Sequence, residues 1–189
     1  NSGNVIICKD KSQLNLEKCQ EILNKSLKRD YFESGREWPY KNVKPRIIAE
    51  KYMENVNGEE ISDYKIQCFS GKADHILVCV DRFTETGVKY HYFDREWNYL
   101  PYCPYEGITK ENINVKRPEK LEEMIKIAEK LSEGLPQLRV DLYLVNDQIY
   151  FGEMTFYHWS GYVPFEPSEW DYKFGELINL PNRGNENEK

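Results

Sequence analysis

The segment that decides the fold is residues 138–154, which read LRVDLYLVNDQIYFGEM. Residues 138–145 and 148–154 are rich in aliphatic and aromatic side chains, and such runs are typical of strands. Asn146 and Asp147 lie between them and tolerate the left-handed backbone conformations of a tight turn. The segment therefore predicts a β-hairpin.

Two acids, Asp141 and Glu153, occupy the two strands of this hairpin at similar distances from the turn. Residues opposite each other in a hairpin share a face, so these carboxylates could face each other and would then repel. A cation or a shared proton between them would relieve the repulsion, and oxygen ligands of this kind suit Mg²⁺ held jointly with phosphates. The alternative is that one or both acids point to solvent.

Arg139 lies two residues before Asp141 and therefore on the same face of the strand. Its guanidinium could meet phosphate oxygens or neutralise the pair of acids. An ordinary ion pair explains the residue equally well.

The flanking sequence predicts a helix and further strands. A helix beginning near Pro118 has an apolar stripe and ends before Gly134. Upstream, the strand-like runs form an antiparallel meander with an Asn57-Gly58 turn. The predicted strands cover residues 46–53, 61–69, 75–80 and 88–93. The pattern indicates an α+β fold in which antiparallel sheets pack against helices.

The two ends of the chain differ in character. Residues 5–8 read as a short buried strand, and Ser12 is placed to cap a helix through Leu27. Residues 30–45 read as an ordered aromatic connection. Residues 182–189 lack apolar anchors, which predicts a disordered tail.

Composition excludes several classes of protein. The net charge of −6 argues against general binding to nucleic acid or to an anionic membrane surface. No run of eighteen apolar residues suggests membrane insertion, and five scattered cysteines without a CxxC spacing favour a reducing cytoplasm. No zinc, serine-hydrolase, Walker or dinucleotide-binding motif is present.

Two runs resemble the ATP-grasp superfamily, IAEKYM at residues 48–53 and IYFGEMT at residues 149–155. With RVDLY at residues 139–143 and Trp170-Asp171 near the C-terminal end, the sequence most resembles the TupA-like branch. That branch is associated with teichuronopeptide and capsular polysaccharide synthesis. The resemblance covers roughly residues 2–181.

The resemblance implies ATP and Mg²⁺ as cofactors and assigns roles to residues. Asp141 and Glu153 match the metal-binding acids, and Arg139 would stabilise charge on the transferring group as a catalytic residue with Lys65. The residues implied to hold the nucleotide are Ser2 and Gly3 over the phosphates, Glu50, Lys51, Tyr52 and Met53 at the adenine, and Asp63 and Lys65 near the ribose and phosphates.

Two departures from the family pattern stand out. Thr155 occupies a position where many members have a metal-binding Asn. The chain also begins at the small-residue loop, so we expect a partial ATP-grasp domain over residues 1–181 whose N-terminal lobe is missing or truncated. Its expected parts are residues 1–45 and a nucleotide- and metal-binding lobe over residues 46–181.

The resemblance implies an ATP-dependent ligase that joins a carboxylate to an amine, both either small molecules or polymer precursors. Two alternatives stay open: a glycosyl- or phosphotransferase of capsular polysaccharide synthesis, and a non-catalytic nucleotide-binding or assembly module. The aromatic run at residues 156–165, with His158 and Trp159, is expected to form the acceptor-side wall or a hydrophobic plug.

Overall fold

The structure is a computed structural model that describes residues 5–81, 85, 87–101 and 115–180. The chain divides into two compact units, Asn1–Glu54 and Asn55–Lys189. Ser2, Gly3 and the predicted tail at residues 182–189 lie outside the described residues.

Short helices make up the first unit. It contains two α-helices, α1 (Leu16–Leu27) and α2 (Tyr31–Gly35). A 3₁₀ turn at Lys11–Gln13 precedes α1, and another at Trp38–Tyr40 follows α2. Asn15, rather than Ser12, caps α1, because its side chain accepts a hydrogen bond from the Lys18 backbone N–H.

The strands predicted at residues 5–8 and 46–53 are wrong, because neither segment forms a strand ladder. Their apolar side chains are largely exposed, including Val5 at 66% and Ile48 at 77%. A strand needs a neighbouring backbone to satisfy its N–H and C=O groups, and hydrophobicity alone does not supply that neighbour.

The second unit contains one five-stranded antiparallel sheet with the order β3-β2-β1-β4-β5. The strands are β1 (Asp63–Phe69), β2 (Lys72–Val80), β3 (Lys89–Asp94), β4 (Gln137–Val145) and β5 (Gln148–Thr155). The last three strands of the predicted meander are therefore present as β1, β2 and β3, the strand before the Asn57-Gly58 turn is absent, and the β4–β5 hairpin adds to the sheet through β1. The α+β fold with an antiparallel sheet is confirmed.

One face of the sheet packs on α3 (Leu121–Leu131), the helix predicted from its apolar stripe. Leu121, Met124 and Ile125 are almost fully buried against the strands. Burying each such side chain contributes about 1.5–3 kcal/mol. This helix and the sheet face beneath it form the main core.

The other face is divided between an apolar and a polar part. Over β2, β3 and the last residue of β1, Phe174 of α4 (Glu169–Glu176) packs on an aromatic cluster that includes Phe69 and Tyr92. Over β1, β4 and β5 the same face carries charged side chains. These lie where alternate residues of the three strands point to one side.

A β-bulge in the β4–β5 hairpin sets which residues face each other. The turn residues Asn146 and Asp147 have φ of 49° and 60°, as predicted, and Val145 pairs with Gln148. Regular pairing from there would bring Gly152 opposite Asp141, but the register shifts, and Glu153 occupies that position.

Glycine at position 152 allows this bulge. A Cβ there would lie 2.9 Å from Tyr143 Cε2 and 3.0 Å from the Asp141 carbonyl oxygen. A side chain at position 152 would therefore force the Tyr143 ring and the Asp141 backbone to shift.

Candidate active site

A cluster of five ionisable side chains lies on the polar face of the sheet; we call it the charged face. Asp63 and Lys65 come from β1, Arg139 and Asp141 from β4, and Glu153 from β5. In the sheet Lys65, Asp141 and Glu153 form one row across three strands. The structure thus brings together five of the residues that the family resemblance singled out.

Asp141 is the centre of the charged face and is only 1% exposed. Arg139 donates from Nε to its Oδ1 at 2.7 Å and from NH2 to its Oδ2 at 3.0 Å, a two-point contact. The ammonium of Lys65 donates to the same Oδ2. Two cations therefore compensate one buried carboxylate.

Lys65 links β1 to β4 and is mostly buried. Its ammonium also lies 2.8 Å from Asp63 Oδ2. Burial lowers the pKa of Lys65, but the carboxylates of Asp141 and Asp63 raise it by more, so its pKa is above the ordinary value. Lys65 is a permanent cation at neutral pH.

Glu153 completes the row at the solvent side. Its Oε1 accepts a hydrogen bond from Arg139 NH2 at 2.7 Å, and its side chain is 53% exposed. Thr155 Oγ1 lies 3.3 Å from the same oxygen. One guanidinium is therefore shared by the two acids that face each other.

His158 also contacts Arg139, and sequence reasoning missed this contact. Its Nδ1 lies 2.5 Å from Arg139 NH1. His158 begins a 3₁₀ turn, His158–Gly161, after β5, so its approach depends on the path of the turn. No periodic pattern predicts that path.

Asp141 and Glu153 are the residues of the charged face that could hold a divalent cation. Asp141 and Glu153 already converge on one cation, the Arg139 guanidinium, and three carboxylates outnumber two basic groups. The described residues contain no group of three or more His, Cys, Asp or Glu side chains arranged for a metal. Mg²⁺ commonly uses only one or two carboxylates and takes the rest of its ligands from phosphates and water.

The other predicted binding residues lie in the first unit or outside the described residues. Glu50, Lys51, Tyr52 and Met53 belong to the first unit, and Ser2 and Gly3 lie outside the described residues. Their roles at the adenine and the phosphates stay predictions.

A cavity of about 1160 Å³ lies elsewhere in the second unit. Tyr64, His91 and Leu144 are among its lining residues, and the charged face contributes none of them. Tyr64 and Leu144 each lie one residue from a polar-face position, so their side chains point to the opposite side of the sheet. The cavity and the charged face thus lie on opposite sides of the sheet. We assign the candidate site to the charged face, because the ionisable side chains are there.

The fold and the charged face define an α+β protein whose sheet presents paired acids beside fixed cations, an arrangement suited to a phosphate-bearing ligand and its metal. The family model described as TupA-like ATPgrasp matches residues 1–179. The chain belongs to this family, and the resemblance seen in the sequence is confirmed. No curated protein and no solved structure matches the chain.

The family supports an ATP-grasp type of enzyme that binds nucleotide. Within the described residues, no helix is both long enough and apolar enough to span a bilayer.

Proposed function

We propose that this protein is a MgATP-dependent ligase that joins a carboxylate to an amine in the synthesis of a cell-surface polysaccharide or teichuronopeptide. The observation that carries the proposal is the row of Lys65, Asp141 and Glu153 with Arg139 bound to both acids. Family membership supplies the class of reaction. We place the reaction in the cytoplasm, where ATP is available.

The reaction has two steps. The substrate carboxylate attacks the γ-phosphorus of ATP, which forms an acyl phosphate and releases ADP. The amine then attacks the acyl carbon, loses a proton and expels inorganic phosphate to give the amide. Both steps build negative charge on phosphoryl oxygens, which fixed cations stabilise.

The residues of the charged face have distinct parts in this scheme. Asp141 and Glu153 would hold Mg²⁺, which supplies charge neutralisation and orientation of the phosphates when bound. Arg139 holds its positive charge beside both acids, and Lys65 holds its charge beside Asp141. Asp63 fixes the Lys65 ammonium from the second side.

Calorimetry tests the proposal with a non-hydrolysable ATP analogue and Mg²⁺ on the full chain. The informative variant is Glu153→Gln, because Glu153 is exposed and its loss leaves the buried contacts of Asp141 in place. We expect affinity to fall about tenfold, equivalent to about 1.4 kcal/mol.

Glu123→Gln is the matched control, since it removes the same charge from an exposed position on α3. Its affinity should equal that of the wild type. The proposal is wrong if the wild-type chain binds no nucleotide, or if both variants bind as the wild type does.

Product analysis then distinguishes the ligase from a phosphotransferase. A ligase releases inorganic phosphate and forms an amide only when carboxylate and amine are both present. Phosphate retained on the acceptor would instead identify a kinase reaction.

A further inference from the structure

The guanidinium of Arg139 has little freedom left within the described residues. It has five N–H donors. Four are engaged: Nε with Asp141 Oδ1, NH2 with both Asp141 Oδ2 and Glu153 Oε1, and NH1 with His158 Nδ1. The second NH1 hydrogen has no partner among the described residues in these contacts.

The contact with His158 differs in kind from the other three. Both carboxylates hold the Nε and NH2 edge of the guanidinium, whereas His158 holds NH1. Without His158, both NH1 hydrogens lack a protein partner among these contacts. His158 therefore occupies one of the two NH1 hydrogens and adds a fourth contact that holds the guanidinium.

We propose that His158 is a positioning residue for Arg139: its neutral ring accepts one NH1 hydrogen and, together with the two carboxylates, holds the guanidinium still while the other NH1 hydrogen serves the ligand's phosphoryl or carboxylate oxygen. The identity of the ligand rests on the proposed function, but the contact between His158 and Arg139 can be tested without any ligand. His158 thus affects the ligand only through Arg139.

The surroundings of His158 favour this neutral acceptor form. A ring that faces a guanidinium can bond to it only through an unprotonated nitrogen. Burial, together with the positive charge of Arg139, lowers the pKa of His158 to about 3. The Nδ1 atom is thus free of a proton at neutral pH, and the proton of the ring lies on Nε2.

The backbone after His158 is held in an unusual conformation. Trp159 and Ser160 both have left-handed φ, at 51° and 57°, in the 3₁₀ turn. Such a conformation is unfavourable for a non-glycine residue. Observed strain of this kind, beside a charged site, fits a turn that serves to place the residue before it.

Two substitutions separate a positioning role from simple packing. His158→Asn keeps an acceptor near the place of Nδ1, because the Asn Oδ1 atom lies at a similar distance from the backbone. His158→Leu keeps comparable bulk and removes the acceptor. Both are made in the full chain, and thermal unfolding reports whether each folds.

The first readout is ¹⁵N NMR of the side chains without nucleotide. We expect an unprotonated Nδ1 in the wild type, with slow rotation of the Arg139 NH1 group. Rotation should become faster in His158→Leu and stay slow in His158→Asn. A protonated Nδ1, or equal Arg139 rotation in all three proteins, would overturn the proposal.

The second readout is affinity for the non-hydrolysable ATP analogue with Mg²⁺. We expect His158→Leu to bind about tenfold more weakly, as loss of one hydrogen bond to a charged group allows, and His158→Asn to bind within about threefold of the wild type. Equal weakening by both substitutions would overturn the role in binding. Absence of binding by the wild type would instead refute the proposed function, and the NMR comparison would still decide the positioning role.

Discussion

Asp141 and Glu153 lie directly opposite each other in the β4–β5 pair, and both bind the same guanidinium, that of Arg139. Two facing carboxylates require a cation, and the chain supplies one from two positions earlier on the same strand. The same pair is the implied site of Mg²⁺. The local architecture therefore compensates this pair of acids with an arginine of the same strand.

The buried acid should matter far more for stability than its exposed partner. In Asp141→Asn, the charges of Lys65 and Arg139 lose their common carboxylate, and breaking a buried ion pair in this way costs about 3–5 kcal/mol. Glu153→Gln should cost less than about 1 kcal/mol, because Glu153 is half exposed. Urea unfolding measures the free energy of unfolding of both variants. Equal losses would contradict the larger contribution of Asp141 to stability.

Arg139→Lys tests the geometry of the guanidinium rather than its charge. A lysine ammonium cannot reproduce the two-point contact with Asp141 together with those to Glu153 and His158. We expect a loss of about 1–3 kcal/mol in the free energy of unfolding.

Arg117→Lys is the control for that substitution, because Arg117 is exposed and its ion pair is a single contact with Glu122. It should change stability by less than about 0.5 kcal/mol. Denaturant unfolding of the two variants under one set of conditions gives the comparison. An Arg139→Lys variant as stable as the wild type would show that a positive charge alone is enough for stability at this position.

Gly152→Ala should disturb the bulge that aligns the two acids. The added Cβ would meet Tyr143 and the Asp141 backbone at 3.0 Å or less, so strands must move apart, at a cost of about 1–3 kcal/mol. Gly175→Ala is the control, since Gly175 lies in α4 with open space around it and alanine favours helix. Thermal unfolding should rank the control at or above the wild type. The melting temperature of Gly152→Ala should lie below both. A Gly152→Ala variant as stable as Gly175→Ala would refute the role of the bulge.

Stability should decline below about pH 6.5 in part because of His75. Burial lowers the pKa of His75, against the opposing effect of Asp74. The unfolded chain therefore binds a proton at a higher pH than the folded chain, so the contribution is complete above the ordinary pKa and is lost as pH falls below it. One such proton corresponds to a slope of about 1.4 kcal/mol per pH unit.

His75→Gln isolates this effect, because glutamine does not titrate. Urea unfolding at pH 7, 6 and 5 should show a shallower slope for the variant, whatever its absolute stability. Parallel slopes for the two proteins would show that His75 does not contribute.

Much of the architecture follows from local patterns. The apolar stripe of α3, the alternation of β4 and the Asn146-Asp147 turn each act within a few residues, so their sequence predicts helix, strand and hairpin directly. The same alternation places Arg139 and Asp141 on one face. The strand-like sequence of residues 46–53 led to a wrong prediction, because a strand also requires a partner strand.

The sequence by itself determined the hairpin, the helix and the residue types that carry the chemistry, because these depend on contacts between near neighbours. Only the tertiary structure decided that Lys65 lies across from Asp141, that a bulge at Gly152 brings Glu153 opposite it, and that His158 meets Arg139. Those contacts join segments far apart in the chain or depend on the path of a single turn. Their geometry comes from strand pairing and packing, which no local periodicity encodes.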